Sequence, residues 1–168
     1  MKILGLFLGL LLLTGCGYRP SSHYAKNVLG ERVYVEVIVS PSDPENAVIV
    51  KDALLQALIS RFRVKLRRQS KSDTYMRVQM GALGFTPIEY DENGYVVAQR
   101  CIASLSVKRT YKNVSKNYSL SGSYDFAIEP NGVVSETQRF NAIRFASLKA
   151  IDALVTQLAV EGSLVPEK

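Results

Sequence analysis

The tetrapeptide Asp91-Glu92-Asn93-Gly94 lies between two runs of alternating apolar and polar residues, and no other feature constrains the fold of this chain as tightly. Asn-Gly readily takes the positive φ values of a tight type I′ turn, so the flanking runs are expected to fold back on each other as an antiparallel hairpin. Beyond the turn, Tyr95, Val97, Cys101, Ala103, Leu105 and Val107 share one parity, with Gln99 interrupting. Arg100, Ser104, Ser106 and Lys108 take the other. Successive side chains of a strand point to opposite faces, so one face of this strand should be core and the other solvated or covered by a partner. Before the turn, Tyr75 to Met80, extending toward Phe85, supplies the pairing strand.

The remaining elements follow from the same periodicities. Lys112 to Ser115 predicts a second turn, and Tyr118, Leu120, Gly122, Tyr124, Phe126 and Ile128 a further alternating strand closed by Pro130-Asn131-Gly132. Upstream, Val33, Val35, Val37 and Val39 mark a first strand of β-branched residues. Ser40-Pro41-Ser42-Asp43-Pro44-Glu45 then combines a turn with a helix start, Asp43 as cap and Pro44 in the first helical position. The helix runs to about Phe62, with a broad stripe of Val48, Lys51, Leu55, Leu58 or Ile59 and Phe62, joined by Ala47 and Leu54. Arg63 to Arg68 alternates briefly before a polar break at Gln69 to Asp73. A last helix begins at Glu136 or Gln138 and reaches Glu161, with Phe140, Ile143, Leu148, Ile151, Leu154, Val155 and Leu158 facing inward and Gly162 as its stop. The order β-α-β-β-β-α predicts an α+β two-layer sandwich: a mixed four-stranded sheet with two helices on one face and a right-handed crossover in its first unit.

The N-terminus has a different character. Lys2 is followed by the apolar run Ile3 to Leu13 and then by Thr14-Gly15-Cys16, the pattern of a bacterial lipoprotein signal. The apolar run is well short of the roughly 20 residues that span a hydrocarbon core, so it reads as a cleaved signal and not as a membrane anchor. The expected organisation is a signal peptide at 1–15, a lipidated N-terminus and spacer at 16–32, and a single domain at 33–168. Cleavage leaves Cys16 first, acylated on its thiol and amine. At roughly 0.8 kcal/mol per buried methylene, several acyl chains hold a protein to a membrane durably. Gly17 stands where an Asp would retain many such lipoproteins at the inner membrane, which favours the outer membrane, on its periplasmic side.

The net charge of +6 suits acidic lipid headgroups, lipopolysaccharide phosphates or acidic protein patches; the compartment excludes nucleic acid. With Cys16 consumed by lipid, Cys101 has no intrachain partner and is expected to be buried on its strand.

The sequence offers little to catalysis. Its one histidine, His23, falls in the expected spacer, so no His-based triad or H-E-x-x-H zinc site can be assembled. There is no phosphate-binding Gly-rich motif, and Asp91 and Glu92 are turn residues. Neither a cofactor nor a metal is expected, and the chain reads as a non-enzyme. Two basic groups stand out: Arg61, Arg63, Lys65, Arg67, Arg68 and Lys71, which can simply solvate a sheet edge, and Lys108, Arg109, Lys112 and Lys116 beside Tyr111 and Tyr118. The second group is the candidate contact for phosphates.

Taken together, Leu13-Thr14-Gly15-Cys16-Gly17-Tyr18-Arg19-Pro20, the strand near Val33, the helix start at Ser40 to Glu45 and the Asn93-Gly94 hairpin with its long following strand resemble the outer-membrane lipopolysaccharide-assembly lipoprotein family, LptE-type. The resemblance implies a two-helix, four-stranded sandwich that plugs a large β-barrel translocon, assists its assembly and contacts lipopolysaccharide on its way to the cell surface. Its partners would be that outer-membrane barrel protein, lipopolysaccharide, and outer-membrane lipid through the acylated N-terminus. The acidic Asp91 and Glu92 argue against phosphate contacts at the first hairpin and move them to the Lys108 to Lys116 end. An alternative role is a periplasmic lipoprotein adaptor, a pilot or auxiliary subunit, for another envelope transport or secretion machine.

Overall fold

The computed structural model describes residues 21–38, 44–128 and 133–165; the expected signal peptide, Cys16, the Asp43 cap and the Pro130-Asn131-Gly132 turn lie outside them. Helix α1 (Ser21–Leu29) leads into strand β1 (Arg32–Ile38), followed by helix α2 (Pro44–Phe62) and the two-residue strand β2 (Lys65–Leu66). A 3-10 turn (Gln69–Lys71) precedes three long strands, β3 (Thr74–Tyr90), β4 (Val96–Tyr111) and β5 (Val114–Ala127), and helix α3 (Glu136–Ser163) closes the chain.

These form one mixed sheet in the order β2-β1-β3-β4-β5. β1 is parallel to β2 and β3, while the β3–β4 and β4–β5 pairs are antiparallel. The described residues thus hold five strands and three helices where the periodicities predict four and two. The fifth strand is the Arg63 to Arg68 stretch, which pairs with the far side of β1 instead of running into β3: Lys65 lies opposite Arg32 and Leu66 opposite Val33. The third helix, α1, falls in the stretch read as a spacer. Val28 and Leu29 are buried, and the Leu29 carbonyl accepts from Thr74 Oγ1 at 2.6 Å, so this segment packs on the core. Its apolar residues, Tyr24, Ala25, Val28 and Leu29, span less than two turns, too short a stretch to establish a period in sequence.

Register places the core on one face. Val78 lies opposite Val107 and Met80 opposite Leu105, which in turn lies opposite Leu120; all face the helices. Cys101 and Ala103, of the same parity, are buried beneath Ala142, Ile143 and Ala146 of α3, and the Cys101 thiol is free. Burial raises its pKa. The α2 stripe lies to one side of the expected one: Ala47, Val50, Leu54, Leu58 and Phe62 are buried, whereas Val48 and Ile59 are exposed and Leu55 only half-buried. The helix carries Ile49, Ala53, Leu55 and Ala57 besides, so apolar spacing alone left its inward direction ambiguous.

The α3 stripe is also shifted, toward small residues. Phe140 is exposed, and Ala142, Ala146, Ser147 and Ala150 lie inward with Ile143, Ile151, Leu154 and Leu158. Gly122 on β5 explains this: a Cβ there would fall 2.5 Å from the Ala150 nitrogen, and nearer still to the Ala146 carbonyl oxygen. The helix backbone rests directly on that strand. Ser135 caps α3 in a capping box with Gln138, as its sequence allows. Gly162 is not the stop. It is buried inside the last turn, where its carbonyl accepts from Asn27 Nδ2 of α1 at 3.2 Å.

The type I′ geometry expected at the first hairpin is found at the second instead. At the first, only Gly94 has positive φ (83°), and the Gly94 amide donates to the Asp91 carbonyl, so a turn followed by a left-handed glycine replaces the type I′ geometry. Asp91 Oδ1 accepts from the amides of Asn93 and Tyr95 and fixes this arrangement. At the second, Lys112 and Asn113 both have positive φ (47° and 63°) between the paired Tyr111 and Val114, the signature of a type I′ turn. β3 continues well past Gln79, its last rung with β1, to Tyr90, and its pairing with β4 is irregular at Met80/Leu83, Pro87/Glu89 and Glu89/Tyr90.

Candidate functional site

The four cations predicted to act together are divided by the geometry of the strand that carries two of them. Lys108 lies on the face of the sheet away from the helices, opposite Arg77 on one side and Asn117 on the other. Arg109, one residue on, points beneath α3 and is buried. Its Nη2 donates to Glu161 Oε1 at 2.7 Å, while the Tyr118 hydroxyl donates to Glu161 Oε2 at 2.6 Å. Lys116 Nζ lies 3.3 Å from the same carboxylate and above the Tyr118 ring. Lys112 is exposed on its turn, above the ring of Tyr111.

Glu161 therefore ties the last turn of α3 to the β4–β5 hairpin. Burial pushes its carboxyl pKa up, but the hydrogen bonds from Tyr118 and Arg109 and the two nearby cations outweigh it, holding the group below the usual carboxylate range. The Tyr118 hydroxyl is shifted strongly upward by burial and by donating to Glu161. Two nitrogens of Arg109, Nε and Nη1, are buried without a partner. Sequence reasoning missed Glu161, although a signal existed: Arg109 shares the inward parity of Leu105 and Val107, and a buried guanidinium needs a carboxylate.

The open face of the sheet is largely polar at its centre, with Ile102 exposed among hydroxyl and charged residues. Ser104 lies opposite Ser121 and Ser106 opposite Ser119. Arg100 makes a bidentate pair with Asp125, both bonds at 2.7 Å, and each raises or lowers the other toward its charged form. Glu36 accepts from the Tyr75 hydroxyl and from Arg77 Nε, and these bonds hold its carboxyl below its ordinary pKa. The other basic group lies at the β2 edge. Arg61 is paired with Asp152 at 2.8 Å, whereas Arg63, Lys65, Arg67, Arg68 and Lys71 are exposed with no acidic partner among the described residues.

Among the described residues no cluster of His, Cys, Asp or Glu could hold a metal, and no helix is long and apolar enough to cross a membrane. The arrangement presents a hydroxyl-rich sheet face, exposed cations at one end, and an ion-paired latch beneath α3.

These features define an α+β sandwich domain built on a mixed sheet. Residues 31–158 match the family model LptE, lipopolysaccharide-assembly, and the chain belongs to that family. A search of curated proteins returns no match. Several solved structures share the fold. Lipoprotein B from Nitrosomonas europaea is 14% identical with a TM-score of 0.56, covering 90% of this chain and 94% of its own. Rare lipoprotein B from Shewanella oneidensis is 12% identical with a TM-score of 0.54, covering 79% of this chain and 96% of its own. A minor lipoprotein from Acinetobacter baumannii is 8% identical with a TM-score of 0.53, covering 80% and 94%. The α+β class with a mixed sheet is thus that of these lipoproteins.

Proposed function

We propose that this chain is a lipid-anchored outer-membrane lipoprotein, acylated at Cys16 and facing the periplasm, that plugs and helps assemble the β-barrel translocon delivering lipopolysaccharide to the cell surface. Membership of the lipopolysaccharide-assembly family across residues 31–158 carries the reading. The open sheet face supports it physically. Barrel lumens are polar, so a plug presents hydroxyls and ion pairs to them and not an apolar patch, which is the character of the Ser104, Ser106, Ser119 and Ser121 rows with the flanking Arg100–Asp125 and Glu36–Arg77 pairs. Lys108, Lys112 and Lys116 remain the contacts for lipopolysaccharide phosphates; Arg109, engaged by Glu161, serves the fold. No catalytic role is proposed for any residue.

Purification of the tagged full chain from outer-membrane extract, with partners identified by mass, tests this. A single large β-barrel protein is expected in stoichiometric amount, lost when Ser106 and Ser119 are changed together to Arg. Recovery of secretion or lipid-transport subunits with no barrel protein would refute the plug and favour an envelope adaptor.

A further inference from the structure

The chain is electrically polarised along its length. Residues 81–99, the arm that ends in the first hairpin, contain Glu89, Asp91 and Glu92 and no Lys or Arg. At the other end of the sandwich the signs reverse. Residues 61–72 contain six Lys or Arg and no acid, and 107–117 contain four and no acid. Register brings the second of these stretches, and the part of the first that leads into β3, to the same end, because Thr74 at the start of β3 pairs with Tyr111 at the close of β4. The acids at that end are already engaged: Glu31 by Lys26, Asp73 by Arg32 and Glu161 by Arg109 and Lys116. Arg68, Lys71 and Lys112 have no acidic partner among the described residues.

Apolar side chains accompany these cations. Leu164 is 77% exposed, and Val160, Val165 and Val114 are exposed as well, the first three at the end of α3 and the last at the type I′ turn. The same end holds α1. The Thr74–Leu29 hydrogen bond fixes the C-terminus of α1 at the start of β3, and the Asn27–Gly162 bond fixes it against the last turn of α3. From Cys16 to Ser21 the chain can reach at most about 17 Å, and α1 itself is only about 13 Å long. An acyl group on Cys16 is thereby held within about 30 Å of the cationic, apolar end. β3 carries the acidic hairpin on the order of 50 Å away.

We infer that this end, with Arg68, Lys71, Lys112, Val114, Leu164 and Val165, is a seat for the surface of an anionic phospholipid bilayer, on which the lipoprotein stands before it meets a protein partner, with its acidic hairpin directed away. The inference rests on the reading of Cys16 as acylated. A lipid tether alone would leave the domain free to swivel. Exposed basic and apolar groups beside the tether add the second signal that fixes a peripheral domain on anionic lipid, and the acidic hairpin is repelled from the same surface.

The test uses the full-length lipoprotein in vesicles of phosphatidylethanolamine and phosphatidylglycerol carrying a headgroup quencher, with acylation of Cys16 measured by mass. A fluorophore is placed on Ser163→Cys or on Asn93→Cys, both at exposed positions; Cys101 is buried and the unsubstituted protein serves as the labelling control. Quenching at 163 is expected to exceed that at 93 at least five-fold. The ratio should fall about two-fold or more in phosphatidylcholine vesicles, in high salt, and in Arg68→Gln/Lys71→Gln. Equal quenching at the two positions in acylated protein would overturn the seat while leaving the lipoprotein reading intact. Absence of acylation would overturn both. A ratio that ignores phosphatidylglycerol and responds only to added lipopolysaccharide would overturn the phospholipid seat in favour of the glycolipid.

Discussion

Replacing Gly122 by Ala adds one methyl group to β5, and the structure gives that methyl nowhere to go. It would fall 2.5 Å from the Ala150 nitrogen, 2.9 Å from the Lys149 Cβ and nearer still to the Ala146 carbonyl oxygen. Two of these three atoms belong to helix backbone, so no rotamer change relieves the overlap. α3 must lift by roughly 1 Å along the contact, and a gap of that size forfeits a quarter to a half of each dispersion well it opens. The top of the range for overpacking, about 3 kcal/mol, is the expected cost. For a domain of this size that corresponds to a fall in Tm of about 6–12 °C. Gly84 is the internal control. It too lies in a strand of the sheet, but a Cβ there meets only the Ile102 Cβ at 3.9 Å, an ordinary contact. Gly84→Ala should therefore leave Tm unchanged or raise it slightly through loss of unfolded-state entropy. Thermal denaturation of the two variants side by side decides the matter. A Gly122→Ala protein melting within about 2 °C of the parent would refute the direct seating of α3 on β5.

Leu54→Asp and Leu154→Asp should each prevent stable folding, since both side chains are buried and an unpaired carboxylate there costs several kcal/mol, whereas Leu55→Asp should cost markedly less; urea melts of the three would expose a misassigned α2 stripe if Leu55 proved the worst. Glu161→Gln strands a buried guanidinium and should cost about 3 kcal/mol at pH 7. Because the folded carboxyl lies below its unfolded value, that stability is present above the ordinary carboxylate range and lost as pH falls through the lower folded value, so the two proteins should converge in urea melts at acid pH, and a constant difference would argue against the latch. Changing Lys108, Lys112 and Lys116 to Gln, with Arg109 retained, should preserve the far-UV spectrum and weaken lipopolysaccharide binding while flattening its salt dependence; unchanged affinity at low salt would remove the hairpin from the contact. Cys16→Ala should take up no fatty-acid analogue in metabolic labelling, and label on that variant would sink the anchor.

Much of the architecture was legible because alternation and register are local consequences of the pleat. The parity of Cys101, Ala103, Leu105 and Val107 predicts their burial, and the same parity, followed one step further, sends Arg109 inward. Grouping it with Lys108 by proximity in sequence conflicts with that geometry. The stripe of α2 was less legible because Ile49, Ala53 and Ala57 give the helix a second apolar side, which lines a groove shared with α3, and Leu55 adds an apolar residue on yet another side. β2 and α1 escaped for a different reason: each is a short element whose existence depends on a neighbour distant in sequence, β2 on Arg32 and Val33 of β1, α1 on Thr74 and Gly162. The occurrence of type I′ geometry at the second hairpin and not the first is also tertiary in origin. Asp91 accepts the amides that settle the first turn, while the matched rungs of β4 and β5 force Lys112 and Asn113 into left-handed backbone that neither residue type would choose first.

The long reach of β3 past β1 carries a hazard that the strand itself counters. From Gly81 to Tyr90 one side of the strand has no pairing partner among the described residues, and such an edge can recruit another chain into a growing sheet. Pro87 removes one donor from the row, three shifts in register interrupt the regular ladder, and Glu89 adds a charge close to the tip. Two copies brought side by side on a crowded envelope surface would find their hydrogen-bonding groups out of phase. The extension can project freely without nucleating fibres, so a Pro87→Val change should be read first for aggregation, and only afterwards for loss of activity.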